Sequence, residues 1–161
     1  SGAIALALAS ENPSFFIVAS DYSEGALAVA KQNIRQYAAS GVCNDIPLLR
    51  GDWLSALAKN SFDLVVSNPP YIDPQDPHLQ QGDVRFEPLS ALVSKGSGYD
   101  DIQSISRQAK DSLKSGGYLI IEHGYDQREV IIKMIEADGY HSVIDHDDLN
   151  GMPRFVTAIK S

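Results

Sequence analysis

Short apolar runs of strand length alternate along this chain with stretches whose apolar residues recur every three or four positions. That alternation restricts the fold more than any single motif does. Phe15–Ala19 reads as a buried strand. Ser23 is the expected N-cap of a helix whose face carries Leu27, Ala30, Ile34 and Tyr37 as far as Gly41. Pro47–Arg50 and Phe62–Ser67 read as two more strands. A polar segment with several prolines and glycines then runs from Ile72 to Gly98. Ile102, Ile105, Ala109 and Leu113 mark the next helix face, which Gly116-Gly117 should stop before a strand at Tyr118–Ile121. Asp126 with Glu129 resembles a capping pair for a helix carrying Val130, Ile131, Met134 and Ile135, ended by Gly139. Tyr140–Ile144 and Phe155–Ile159 read as two final strands joined by a turn at Asn150-Gly151. At the start, Ser1–Ala9 reads as a helix opened by Gly2, since the alanines between Ile4, Leu6 and Leu8 favour helix over strand.

Alternation of this kind predicts an α/β fold, doubly wound, with an open and mostly parallel sheet covered on both faces. Ligands of such sheets sit beyond the carboxyl ends of the strands. The polar residues expected there are Asp21, Asp52, Asn68 and Glu122, from four different strands. One of them follows a glycine at a telling distance. Gly2 precedes Asp21 by nineteen positions. Nucleotide-type ligands use a glycine-rich turn that lets the backbone approach, with an acid about 20 residues on that binds ribose hydroxyls.

Composition bounds the function. The 161 residues suit one domain over residues 1–161, with 43% hydrophobic and 21% charged residues, as in ordinary globular chains. The net charge is −8, and lysines and arginines do not cluster, so a nucleic-acid substrate held through its phosphates is disfavoured. The longest apolar run, Ala3–Ala9, is far short of a bilayer span, so no membrane partner is expected. It ends in a sequence like a leader-cleavage site, but no basic residues stand ahead of it, and it is not read as a leader. A single cysteine, Cys43, suits a reducing compartment. His141, Asp145, His146, Asp147 and Asp148 match no usual ligand spacing, and they read as a solvated loop with no metal.

Asn68-Pro69-Pro70-Tyr71 directly follows the strand Phe62–Ser67. Each proline fixes its own φ and keeps the residue before it out of the helical region, which makes the tetrapeptide a stiff extended arm. Neither proline has an N–H. The Asn68 side-chain oxygen and the Pro69 carbonyl are therefore acceptors for the two hydrogens of a planar NH2 group, and Tyr71 is placed to pack on its flat face. A neutral asparagine binds such a group without adding an uncompensated charge. The arrangement suits orienting a nitrogen for attack.

Asn-Pro-Pro-Tyr at this place resembles the signature of amino-group methyltransferases that use S-adenosyl-L-methionine. Similarity extends along nearly the whole chain: Ser1–Ala9, Asp52-Trp53, Val65–Ile72, Arg85–Leu92 and Glu122-His123-Gly124 look like the HemK (PrmC) type of release factor glutamine methyltransferase. The segment Arg85-Phe86-Glu87-Pro88 separates that type from relatives acting on DNA or ribosomal RNA. The resemblance implies a Rossmann-like class I methyltransferase sheet with a C-terminal antiparallel strand. It implies methyl transfer to the glutamine side-chain amide in the Gly-Gly-Gln motif of peptide chain release factors, in the cytoplasm, as part of translation termination. It also implies that Asp21 binds the cofactor's ribose, that Asp52 and Trp53 flank its adenine, and that Gly2 and Asn68 belong to the same cofactor site. Asn68, Pro69, Pro70 and Tyr71 would hold the glutamine amide, with Asn68 and Pro69 catalytic. The family's first strand, its Asp-Leu-Gly-Thr-Gly type loop and its upstream helical domain have no counterpart here, so the chain is expected to be a piece of a longer protein and unstable alone. The alternatives are a nucleic-acid amino-group methyltransferase and a truncated fragment without catalysis.

Overall fold

A computed structural model describes residues 1–39, 41, 45–71 and 98–161. Cys43, Ile72 and the segment Arg85–Leu92 lie outside the described residues. The chain divides into two compact units, Ser1–Ala56 and Leu57–Ser161.

The first unit holds helix α1 (Ala3–Glu11), strand β1 (Ala19–Asp21), helix α2 (Glu24–Ala39) and strand β2 (Leu48–Arg50). β1 and β2 are parallel, with Ala19 opposite Leu48 and Asp21 opposite Arg50. Ala5, Leu6 and Ala9 of α1 pack with Ile34 of α2 and with Ile46. Gly2 opens α1 at φ +73, and a Cβ there would lie 3.2 Å from the Cβ of Ala30, so a larger residue would push α1 from α2. Ser23 caps α2 as expected, its Oγ accepting the Ala26 N–H at 3.2 Å. The strand expected over Phe15–Ala19 is displaced: pairing starts only at Ala19, and Phe16 is 82% exposed. Backbone pairing decided this. The Phe15 N–H is taken by the Asn12 carbonyl, and the first inter-strand bond runs from Ala19 N–H to the Pro47 carbonyl.

The second unit holds β3 (Phe62–Ser67), helix α3 (Asp100–Ser112), β4 (Leu113–Glu122), helix α4 (Arg128–Ala137), β5 (Tyr140–Asp147) and β6 (Pro153–Lys160). Its strand order is β3-β4-β6-β5. β3 and β4 are parallel, and β6 is antiparallel to both β4 and β5. β6 is therefore the one reversed strand of the four, the expected C-terminal antiparallel strand. The core is fully buried: Ile102, Ile105 and Ala109 of α3, Leu119 and Ile121 of β4, Ile131 and Ile135 of α4, and Val156 of β6. On the other face of β4, Tyr118 is 51% exposed. Asp100 and Asp101 in the first turn of α3 and Lys110 in its last complement the helix dipole.

Two boundary expectations are corrected here. α3 stops at Ser112, and Leu113 is the first residue of β4 rather than the last turn of the helix. Leu113 is apolar and fully buried in either role, so its periodicity did not separate them. Asp126 and Glu129 do not form the capping pair. Gln127 is the N-cap of α4, which moves Glu129 one position too close to act as the reciprocal acceptor. Among the described residues no helix is long and apolar enough to cross a membrane.

Candidate active site

In the first unit, the parallel pairing of β1 and β2 sends Asp21 and Asp52 past the same carboxyl edge. The Asp21 carboxylate accepts the Ser23 N–H at 2.8 Å, which fixes its turn into α2. The Asp21 carbonyl accepts the Gly51 N–H, tying the ends of the two strands together. Asp52 is exposed. Trp53 is half-buried, so it is not a core residue, and its backbone stands at φ +53. A bulky residue in that region is strained and persists where surrounding contacts hold it. Here the Ser20 hydroxyl from β1 donates to the Trp53 carbonyl at 3.0 Å. The unit thus presents two carboxylates and an indole carried on a fixed backbone beyond one strand edge, a donor set suited to a ribose and a flat heterocycle.

In the second unit, β3 delivers Asn68 and β4 ends on Glu122, in a register that puts Ser67 opposite Ile121. Asn68 is exposed while Pro69 is fully buried, so the arm is anchored by its first proline with the amide side chain facing outward. Tyr71 is held at both ends. Its hydroxyl donates to Glu122 Oε1 at 3.1 Å and accepts from Arg154 Nη1 at 3.3 Å. Its carbonyl accepts from Gln127 Nε2 at 3.2 Å. Burial, then the neighbouring Glu122 charge, push the Tyr71 phenol above its ordinary value, so it stays protonated through the neutral range. Glu122 therefore serves the arm's side chain rather than nearby backbone.

Arg154 reaches this edge because β6 runs backwards and starts there. Its other nitrogen, Nη2, pairs with Asp148 at 3.3 Å. Asp148 shapes the β5–β6 turn by accepting the Asn150 N–H at 2.8 Å and the Met152 N–H at 3.1 Å. Those backbone bonds, more than Arg154, lower its carboxyl below the ordinary value. Behind the edge, fully buried His123 places Nε2 2.7 Å from Asp145 Oδ2, and Arg128 Nε reaches the other Asp145 oxygen at 2.6 Å. Arg128 also binds Asp147, and His146 stacks on Phe155 at a centroid distance of 4.7 Å. Among the described residues no group of acids, histidines or cysteines is arranged to hold a metal.

Gln127 and Arg154 were not foreseen from the sequence. A glutamine next to the expected cap Asp126, and an arginine just ahead of the strand expected at Phe155, were the available signals.

Residues 1–86 match the model of the methyltransferase small domain. The chain is 51% identical to the release factor glutamine methyltransferase of Escherichia coli (strain K12) over 142 residues, covering 88% of this chain and 50% of that protein. It is 42% identical to the release factor glutamine methyltransferase of Coxiella burnetii over 158 residues, covering 98% of this chain and 55% of that protein. The chain thus spans about half the length of these relatives. A methyltransferase from Pyrococcus furiosus superposes over 99% of this chain and 70% of its own, with a TM-score of 0.71 at 17% identity. A ribosomal protein L11 methylase from Lactobacillus delbrueckii covers 99% of this chain and 65% of its own, with a TM-score of 0.67 at 18% identity. These likenesses show a class I methyltransferase fold.

Proposed function

Because this chain belongs to the methyltransferase small domain family, we propose that it transfers a methyl group from S-adenosyl-L-methionine to the side-chain amide of the glutamine in the Gly-Gly-Gln motif of peptide chain release factors. The observation that carries the reading is the arm Asn68–Tyr71, anchored by buried Pro69 and tied down through Tyr71 to Glu122, Arg154 and Gln127. Similarity to release factor glutamine methyltransferases supports the choice of substrate.

The first unit's donor set fits the cofactor. Asp21 would hold the ribose hydroxyls and Asp52 and Trp53 the adenine, with Gly2 in the same set. When bound, the cofactor supplies an electrophilic methyl on a sulfonium. The chain's own residues act on the acceptor. An amide nitrogen is a weak nucleophile because its lone pair is delocalised into the carbonyl. Asn68 Oδ1 and the Pro69 carbonyl accept its two hydrogens, which raises electron density on nitrogen and fixes the direction of attack. Pro70 stiffens the arm, and Tyr71 would pack on the amide plane while its hydroxyl is taken up by Glu122 and Arg154. As the nitrogen gains the methyl it would release one of its two protons to water, and the electron pair of the broken S–CH3 bond would stay on sulfur as a neutral thioether, so no side chain is required to ionise. The proposed partner, a translation factor, sets the reaction in the cytoplasm.

The test is competition between acceptors. With labelled S-adenosyl-L-methionine and the longest form of the protein its gene encodes, label should enter a release factor and not ribosomal RNA or DNA. Label in nucleic acid alone would favour the nucleic-acid amino methyltransferase. Cofactor binding with no transfer to any acceptor would favour a non-catalytic module.

A further inference from the structure

Gln127 is a residue the reaction does not touch, yet its side-chain amide ties the arm to the loop after β4. It is 5% exposed. Its Oε1 accepts the Gly124 N–H at 2.8 Å, and its Nε2 donates to the Tyr71 carbonyl at 3.2 Å. One amide thus joins the loop after β4 to the last residue of the arm after β3. The backbone closes over this bridge at Gly98: a Cβ there would stand 2.6 Å from the Tyr71 carbonyl oxygen and 2.7 Å from Gln127 Nε2. Gln127 also begins α4, its carbonyl accepting the Ile131 N–H, so the bridge rests on a helix rather than on a loop. Between Tyr71 and Asn68 lie only two prolines, each with a fixed φ. The two prolines therefore leave few soft torsions through which a displacement of Tyr71 is absorbed before it reaches Asn68.

We propose that Gln127 is a positioning residue for methyl transfer: its amide holds the main chain of Tyr71 and, through the two prolines, sets the Asn68–Pro69 acceptor pair. The proposal rests on the reading of that pair as the clamp for the substrate amide.

Gln127→Glu separates positioning from structure. A glutamate keeps the acceptor for Gly124 and adds a negative charge at the N-terminus of α4, which favours the helix. It loses the donor and turns an oxygen toward the Tyr71 carbonyl. Gln127→Met, of similar length, removes both bonds while retaining apolar contact. Both variants should fold but melt below wild type, because buried backbone groups lose their partner, while they keep KM for a release factor and lose kcat by about 10- to 100-fold, the scale of a small misplacement at a reacting centre. Hydrogen exchange in the peptide covering residues 62–71 should speed up in both.

Wild-type kcat in either folded variant would overturn the proposal. So would the unfolding of both, since Gln127 would then hold the fold rather than the arm. If wild type itself moved no methyl to a release factor, the reading of function would fail, while the exchange measurement would still decide whether Gln127 holds the arm.

Discussion

Asn68 and Pro69 are neighbours in sequence with opposite environments, one exposed and one fully buried. Removing the Asn68 side chain therefore tests chemistry with little effect on the fold. Asn68→Ala should lower turnover by about 10²- to 10³-fold, the cost of one preorganised polar contact at a reacting centre, with an unchanged melting temperature. Asn68→Asp keeps an acceptor of the same shape but adds charge, and its turnover should fall between Ala and wild type. Steady-state kinetics on a release factor check both, and wild-type turnover in Asn68→Ala would remove the amide clamp. Asp21→Ala should weaken cofactor affinity by about 10- to 150-fold, the equivalent of roughly 1.5–3 kcal/mol for a charged hydrogen bond. Calorimetry showing no change would take Asp21 out of the site. In that variant Ser23 still caps α2 through its own hydroxyl, so the helix start survives.

Among the elements, the β5–β6 turn links acid–base behaviour to the arm. Asp148 accepts two backbone N–H groups within the turn and pairs with Arg154, which in turn reaches Tyr71. Its carboxyl titrates below the ordinary aspartate value in the folded chain. A depressed folded value contributes stability that is complete above the unfolded value, about pH 4, and is lost as the pH falls through the folded one. Asp148→Ala should therefore melt below wild type at pH 7, and the gap should close on acidification below about pH 4. A gap independent of pH would place the effect in packing instead.

The elements also show which parts of this fold were legible in advance. β3 was read to its exact residues, because six apolar-rich positions end abruptly at a proline pair that cannot continue a ladder. The Ser23 cap was legible for a similar local reason. Phe15–Val18 was misread because strand pairing is settled by a partner distant in sequence. The start of α4 was misread because its cap residue is a glutamine engaged with Gly124 and Tyr71, contacts that no local spacing encodes. The candidate site residues followed the same division: Asn68–Tyr71 and Asp21 are proposed from motif and spacing, whereas Gln127 and Arg154 join the arm only through tertiary contact.

At the scale of the whole molecule, a net charge of −8 sets the chain against polyanions. That agrees with a protein acceptor and leaves the chemistry to be defined by where the methyl lands. The most direct measurement incubates the protein, in the longest form its gene encodes, with S-adenosyl-L-methionine and an intact release factor, and locates the added methyl by tandem mass spectrometry. The account predicts one methyl on the side-chain nitrogen of the Gly-Gly-Gln glutamine, and none on a release factor carrying Gly-Gly-Ala. A methyl on any other residue, or undiminished transfer to the Gly-Gly-Ala protein, would contradict it.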